Sequence, residues 1–202
     1  MDQQASELPL SGYEVLLCVT GGIACYKTAD LCSKLVQLGC GVTVAMSNAA
    51  QEFIRPLTFQ TLTGRQVYTS LWQSPEYYTS QHVAATELAD LMVIAPATAD
   101  ILAKMAGGLA DDLVSTLALA ATGECRILAA PAMNTRMWNA PATRANLARL
   151  GQWGVQTVGP DQGRLACRTV GMGRMSEPAE ILDRITELLK AAPPKRAGGA
   201  GA

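Results

Sequence analysis

Histidine is almost missing from this chain of 202 residues: His82 is the only one. No C-x-x-C pair occurs among the six cysteines either, so the sequence offers no ligand set for a zinc site. Aromatic residues are 5% of the total and only two are Phe, which leaves the core to aliphatic side chains. Charged residues make up 16%, the formal net charge is -1, and no basic block precedes the tail, all of which argues against a nucleic-acid partner. No apolar run approaches the roughly 18 residues of a membrane-spanning helix. Met1–Ser11 is polar, contains Asp2 and Glu7, and lacks the basic and apolar regions of a secretory signal, so residues 1–11 read as an N-terminal tail. What the chain has in quantity is hydrophobic residues, 49% of the whole, enough for one well-buried domain.

Cys18, Cys25, Cys32, Cys40, Cys125 and Cys167 show no framework spacing. Cys25 and Cys32 fall on one expected helix about 10 Å apart along its axis, beyond disulfide reach. Such a set suits reduced, mostly buried thiols in a cytoplasmic protein. Tyr13–Thr20, Gly21-Gly22, Ala24–Leu38 and Val42–Met46 read in turn as strand, glycine turn, helix and strand, a βαβ unit that implies a parallel sheet. Further helices are expected at 56–63, 82–89, 98–106 and 111–121, a mostly helical stretch at 133–150 and a final helix at 177–191. Strands are expected at 91–95 (closed by Pro96), 126–130 and 154–158, and residues 161–175 read as a loop or hairpin. The whole is an α/β, single-domain, Rossmann-like (flavodoxin-like) parallel sheet with helices on both faces, over residues 12–191. Residues 192–202, rich in Pro, Gly and Ala, read as a disordered tail.

Three expected strand ends carry small turns with polar side chains, where open α/β sheets keep their ligands. Thr20-Gly21-Gly22-Ile23-Ala24 ends the first. Glycines there let backbone amides approach a phosphate, although neither the dinucleotide fingerprint nor a P-loop is present. A tight turn without a ligand fits the same spacing. Ser47 follows the second strand as an ordinary N-cap that is also able to face a phosphate. Pro96-Ala97-Thr98-Ala99-Asp100 and Pro131-Ala132-Met133-Asn134 complete the set. His82 is the one residue whose side-chain type has an unperturbed pKa near neutrality, yet a lone histidine is more often structural than catalytic. Cys167 stands apart from the other cysteines: it lies in a Gly/Arg segment with Arg164, Arg168 and Arg174 nearby, which favour a thiolate.

The run Pro131-Ala132-Met133-Asn134-Thr135-Arg136-Met137-Trp138 resembles the P-x-M-N-x-x-M-W motif of the flavin-dependent cysteine decarboxylases. The resemblance extends over about residues 12–190. It includes Thr20–Ala24, His82, Ala95–Ala99, Lys104–Ala106, Ala110–Leu113, and Ala166-Cys167 followed by Gly171–Met175. It implies an FMN cofactor, with Gly21, Gly22, Ile23 and Ser47 at the phosphate and Thr98, Ala99, Asp100 and Ala132 along the flavin. It further implies His82 as a base, Asn134 on the substrate carboxylate, Arg164, Ala166 and Met175 in a flap over the substrate, and Cys167 as a proton donor. No metal is called for.

The implied activity is FMN-dependent decarboxylation of 4'-phosphopantothenoylcysteine to 4'-phosphopantetheine in coenzyme A biosynthesis. The implied assembly is a homotrimer or homododecamer in the cytoplasm. A lantibiotic-type branch acts on peptidyl cysteine and stops at an ene-thiol; it lacks the cysteine at the Cys167 position, which makes Cys167 the residue that separates the two. Flavin prenyltransferases and non-catalytic regulatory subunits are rival readings. The first lack the Asn134 motif, and the second carry long acidic tails, whereas no Asp or Glu follows Glu187 here. The chain reads as a stand-alone decarboxylase or a fragment of a longer protein.

Overall fold

The central strands read as nearly unbroken apolar runs because the sheet is covered on both faces. The computed structural model describes residues 8–72, 81–166 and 168–195; the side chains of 81–84 also lie outside the described set. Five strands form a parallel sheet: β1 (Glu14–Val19), β2 (Gly41–Met46), β3 (Leu91–Ala97), β4 (Arg126–Pro131) and β5 (Gln156–Thr157), in the order β2-β1-β3-β4-β5. Alternation along each strand divides the core in two. Val15, Leu17, Val19, Leu91, Val93, Ala95, Leu128 and Ala130 face one layer, and Leu16, Cys18, Met92, Ile94, Ile127 and Ala129 face the other.

The first layer is closed by α1 (Cys25–Gln37), α3 (Pro56–Thr63) and α9 (Pro178–Lys190). From α9, Ile181, Ile185, Leu188 and Leu189 are buried, each contributing about 1.5–3 kcal/mol. The second layer is closed by α5 (Ala99–Gly107), α6 (Leu113–Ala121) and α8 (Pro141–Gln152), with α4 (Gln81–Leu88) packed against α6. Short helices α2 (Asn48–Gln51) and α7 (Thr135–Trp138) follow β2 and β4. Strands β6 (Asp161–Arg164) and β7 (Val170–Arg174) pair antiparallel as a separate ribbon.

Several boundaries differ from expectation. β3 does not stop at Pro96: it runs to Ala97 through a cis Ala95–Pro96 peptide, with a register shift between Ile94 and Ala97 against β4. Proline lacks only the amide donor, and the shift accommodates that loss. The stretch 133–150 breaks into α7 and α8, because Ala140 is extended and Pro141 starts a new helix at its first turn. The late strand shrinks to Gln156–Thr157 at the sheet edge. The 161–175 segment takes the hairpin alternative. Residues flanking the expected 12–191 domain join it. Leu10 is fully buried with its N–H on the Leu38 carbonyl. Beyond residue 191, the Lys195 N–H donates to Asp90 Oδ1 at 2.7 Å and Tyr13 Oη donates to the Ala192 carbonyl. The expected tail residues 1–7 and 196–202 lie outside the described residues.

Candidate functional site

Strand order reverses between β1 and β3, and open α/β sheets form a ligand crevice beyond the carboxyl ends of strands at such a point. A cavity of about 1030 Å³ lies there, large enough for a cofactor and a small substrate together. Every sequence-expected cofactor residue lines it: Gly21, Gly22, Ile23, Ser47, Thr98, Ala99, Asp100 and Ala132. So do Asn134, Arg164, Ala166 and Met175. His82 sits in the first turn of α4, with its side chain outside the described residues, and Cys167 lies outside them entirely.

Helix caps differ around the cavity in a way that bears on its ligand. Ser47, Thr98, Asp112 and Asn134 each cap their own helix by accepting a backbone N–H. α1 has no such side chain: Ala24 holds its N-cap, and no acidic residue occupies its first turn. A helix start with neither side-chain cap nor negative charge is suited to an anion. The preceding turn is held tight by Gly21, where a Cβ would collide with the Ala49 methyl and lie 2.9 Å from the Ala49 carbonyl carbon. A Cβ on Gly22 would find only ordinary contacts, with Thr98 Cγ2 at 3.7 Å. Buried bonds tie the turn to β3. Thr20 Oγ1 donates to the Pro96 carbonyl at 2.6 Å, and Thr28 Oγ1 to the Ala95 carbonyl at 2.8 Å.

Asn134 ends the β4 turn. Its Oδ1 accepts the Arg136 N–H at 2.8 Å and caps α7, and its NH₂ end is a donor, the chemistry a carboxylate calls for. Around it, Trp138 is buried under the Arg144 guanidinium, which stands 4.4 Å from the ring centroid. The ribbon docks on the same turn. The Met133 N–H donates to the Gly173 carbonyl at 2.9 Å, and Thr135 Oγ1 donates to the Met172 carbonyl at 2.7 Å. The ribbon tip thus carries Arg164, Leu165, Ala166 and Arg168 along the cavity, Arg168 at a left-handed φ of 65°. Met175, the last of the expected flap residues, is 1% exposed and packs into the core at the ribbon's base.

Also on the cavity wall, Lys104 meets three carboxylates: Asp112 at 2.6 Å, Asp111 at 3.0 Å and Asp100 at 3.7 Å. The hydrogen bond to Asp112 is the main reason its pKa lies above the ordinary lysine value. Burial pushes the Asp112 carboxyl up, but donors from Lys104 and the Ser115 N–H outweigh it and hold the group below its usual range. The buried thiols are inert by contrast. Burial pushes Cys32 and Cys40 up to about 12 and raises Cys18 and Cys25 as well, far from a reactive thiolate. All described cysteines are free. Among the described residues no cluster suits a metal ion, and no helix is long and apolar enough to cross a membrane.

Lys27 lines the cavity without having been anticipated. A sign was present in the sequence: it precedes Leu31 by one helical turn, on the apolar face that also buries Thr28, Cys32 and Leu35.

A family profile described as Flavoprotein matches residues 3–190. The coenzyme A biosynthesis bifunctional protein CoaBC of Bacillus subtilis (strain 168) is 46% identical over 173 residues, 86% of this chain and 42% of that protein. The chain therefore spans less than half the length of that relative. The probable phosphopantothenoylcysteine decarboxylase of Streptococcus mutans is 42% identical over 176 residues, 87% of this chain and 98% of that protein. Among solved structures, a cysteine-to-serine variant of PPC decarboxylase complexed with pantothenoylaminoethenethiol matches with a TM-score of 0.79 at 30% identity, covering 89% of this chain and 99% of that one.

Proposed function

The chain belongs to the flavoprotein family, and from that premise we propose that it is an FMN-dependent decarboxylase converting 4'-phosphopantothenoylcysteine to 4'-phosphopantetheine in coenzyme A biosynthesis. One observation carries the proposal: an uncapped helix start on a glycine turn, the amide of Asn134 and the tip of an antiparallel ribbon all line a single cavity. The residues fit FMN. Gly21, Gly22 and Ile23 at the start of α1, with Ser47, would hold its phosphate, and Thr98, Ala99, Asp100 and Ala132 leave a small-walled slot for its ring.

Losing CO₂ from a cysteine carboxylate leaves an electron pair on carbon that needs a sink. Bound FMN would take two electrons from the thiol-bearing carbon, which would create the sink next to the carboxylate, and would give them back afterwards, so the net reaction is redox-neutral. The chain's own residues do the rest. Asn134 holds the carboxylate through its NH₂ group. Arg164 and Ala166 cover the substrate against water, with Met175 anchoring the ribbon's base. His82 takes the thiol-side proton and Cys167 returns a proton to carbon. The ene-thiol bound to a cysteine-to-serine variant of a relative supports this assignment of Cys167.

Two measurements test the proposal. Mass analysis of the product is expected to give loss of CO₂ alone from the wild-type chain, and loss of CO₂ plus two hydrogens from Cys167→Ser. Normal product from Cys167→Ser removes the proposed role. An ene-thiol from the wild type assigns the chain to the peptidyl-cysteine type instead. Ile23 and Tyr26 line the cavity at 60% and 64% exposure, and Val170, paired with the cavity-lining Arg164, is 72% exposed; these apolar side chains suit contact with further copies in a homotrimer or homododecamer. Light scattering is expected to return three or twelve times the chain mass, and a monomer would exclude that assembly. Free, buried thiols suit a reducing cytoplasm.

A further inference from the structure

Lys27 is 6% exposed, an unusual place for a lysine. Its ammonium donates to the Met175 carbonyl at 2.9 Å and to Glu177 Oε1 at 3.0 Å. Burial lowers its pKa, and the positive charge of Arg174 adds to that effect, against Tyr26, Asp161 and Glu180. Glu177 is shared, since Arg174 also pairs with it. Stability alone is a poor reason for such a group: apolar side chains often replace buried ion pairs without loss. Its location suggests another reason. Lys27 lies in the first turn of α1, directly after the glycine turn, and its two acceptors lie where β7 passes into α9. At that point the ribbon closes on itself through Ser176 Oγ, which donates to Asp161 Oδ1 at 2.9 Å.

We infer that Lys27 is a positioning residue that locks the base of the substrate-covering ribbon to the first turn of the cofactor-binding helix. The helix end suited to the phosphate and the cover over the substrate are then set by one side chain. The carbonyl bond fixes height, and the ion pair with Glu177 fixes the turn into α9. The cover's role rests on the function proposed above; the lock itself is a mechanical claim that can be read without turnover.

The test uses FMN-loaded full chain and two variants. Lys27→Met keeps the length and apolar stem and removes both bonds. Glu177→Gln keeps an acceptor for Lys27 and for the α9 cap and removes only the charge. Amide hydrogen exchange across 161–176 is expected to quicken about tenfold or more in Lys27→Met, less in Glu177→Gln, with 28–37 of α1 unchanged. KM for 4'-phosphopantothenoylcysteine is expected to rise about tenfold in Lys27→Met, with kcat changed less and FMN content intact. Unchanged exchange across 161–176 overturns the lock, as does faster exchange spread over the whole chain. Loss of FMN with an unaltered ribbon assigns Lys27 to the cofactor instead and also overturns it. A wild type without decarboxylase activity, combined with a loosened ribbon in Lys27→Met, leaves the lock standing and refutes the proposed function.

Discussion

Asn134→Asp is expected to fold and take up FMN as the wild type does, yet to lose about a thousandfold or more in kcat/KM. The reason lies in the two ends of one amide. Oδ1 caps α7 by accepting the Arg136 N–H, and a carboxylate oxygen does that equally well, since Asp and Asn are comparable N-caps. The NH₂ end is different. Replaced by oxygen, it could not make the proposed donation to the substrate carboxylate and would set a negative charge against it. Losing a hydrogen bond to a charged group costs about 1.5–3 kcal/mol, and like charges about 4 Å apart near a protein surface add roughly 4 kcal/mol. Asn134→Ala separates the two ends: it gives up the cap as well, and thermal unfolding is expected to register a loss of about 0.5–2 kcal/mol that Asp does not cause. An Asn134→Asp enzyme within threefold of wild-type kcat/KM would show that the side chain does not hold the carboxylate.

The same residue shows what can be read from sequence and what cannot. Asn134, like Thr98, stands out because it is a polar residue in a small turn between an apolar run and a helical one, and the structure adds that both cap the helix that follows. The small turns at Thr20–Ala24, Pro96–Asp100 and Pro131–Asn134 together mark the crevice in the sequence. The parallel sheet is legible from the strand–turn–helix–strand order of residues 13–46, and the coverage of both sheet faces shows in β1, β3 and β4, which are apolar after their first residue or from end to end. Pro96 misleads because proline usually closes a strand, and only the pairing partner reveals that β3 can shift register and continue. Lys27 is easily passed over because lysine is assigned to solvent by default, although its helical spacing places it on the apolar face of α1. What buries it is the Met175–Glu177 junction, remote in sequence and brought alongside by the fold. Residues whose partners are sequence neighbours are readable; residues whose partners are remote in sequence are not.

Gly173 extends that contrast to the ribbon, and Gly173→Ala is expected to be nearly as damaging to turnover as Asn134→Asp while sparing most of the fold. Two separate effects forbid a side chain there. Its φ is 127°, a region L residues rarely adopt, which costs on the order of 1–3 kcal/mol. A Cβ would also collide with the Met133 carbonyl oxygen, with the Met133 carbonyl carbon at 3.3 Å and that of Asn134 at 3.5 Å, all of them backbone atoms that no rotamer change can move. Relief requires β7 to lift off the 133–135 turn. That breaks the bond from the Met133 N–H to the Gly173 carbonyl and loosens the one from Thr135 Oγ1 to the Met172 carbonyl. The ribbon's other anchor, from Lys27 to the Met175 carbonyl, lies two residues beyond Gly173 and would remain, so the ribbon should swing rather than unfold. The sheet is untouched, because β6 and β7 pair only with each other. Far-UV circular dichroism and FMN binding should therefore stay close to wild type, while kcat/KM falls about a hundredfold or more as the cover leaves the Asn134 turn. A Gly173→Ala enzyme with wild-type turnover would mean that the ribbon need not be seated on that turn for catalysis. One that fails to bind FMN at all would mean that the ribbon supports the cofactor rather than the substrate.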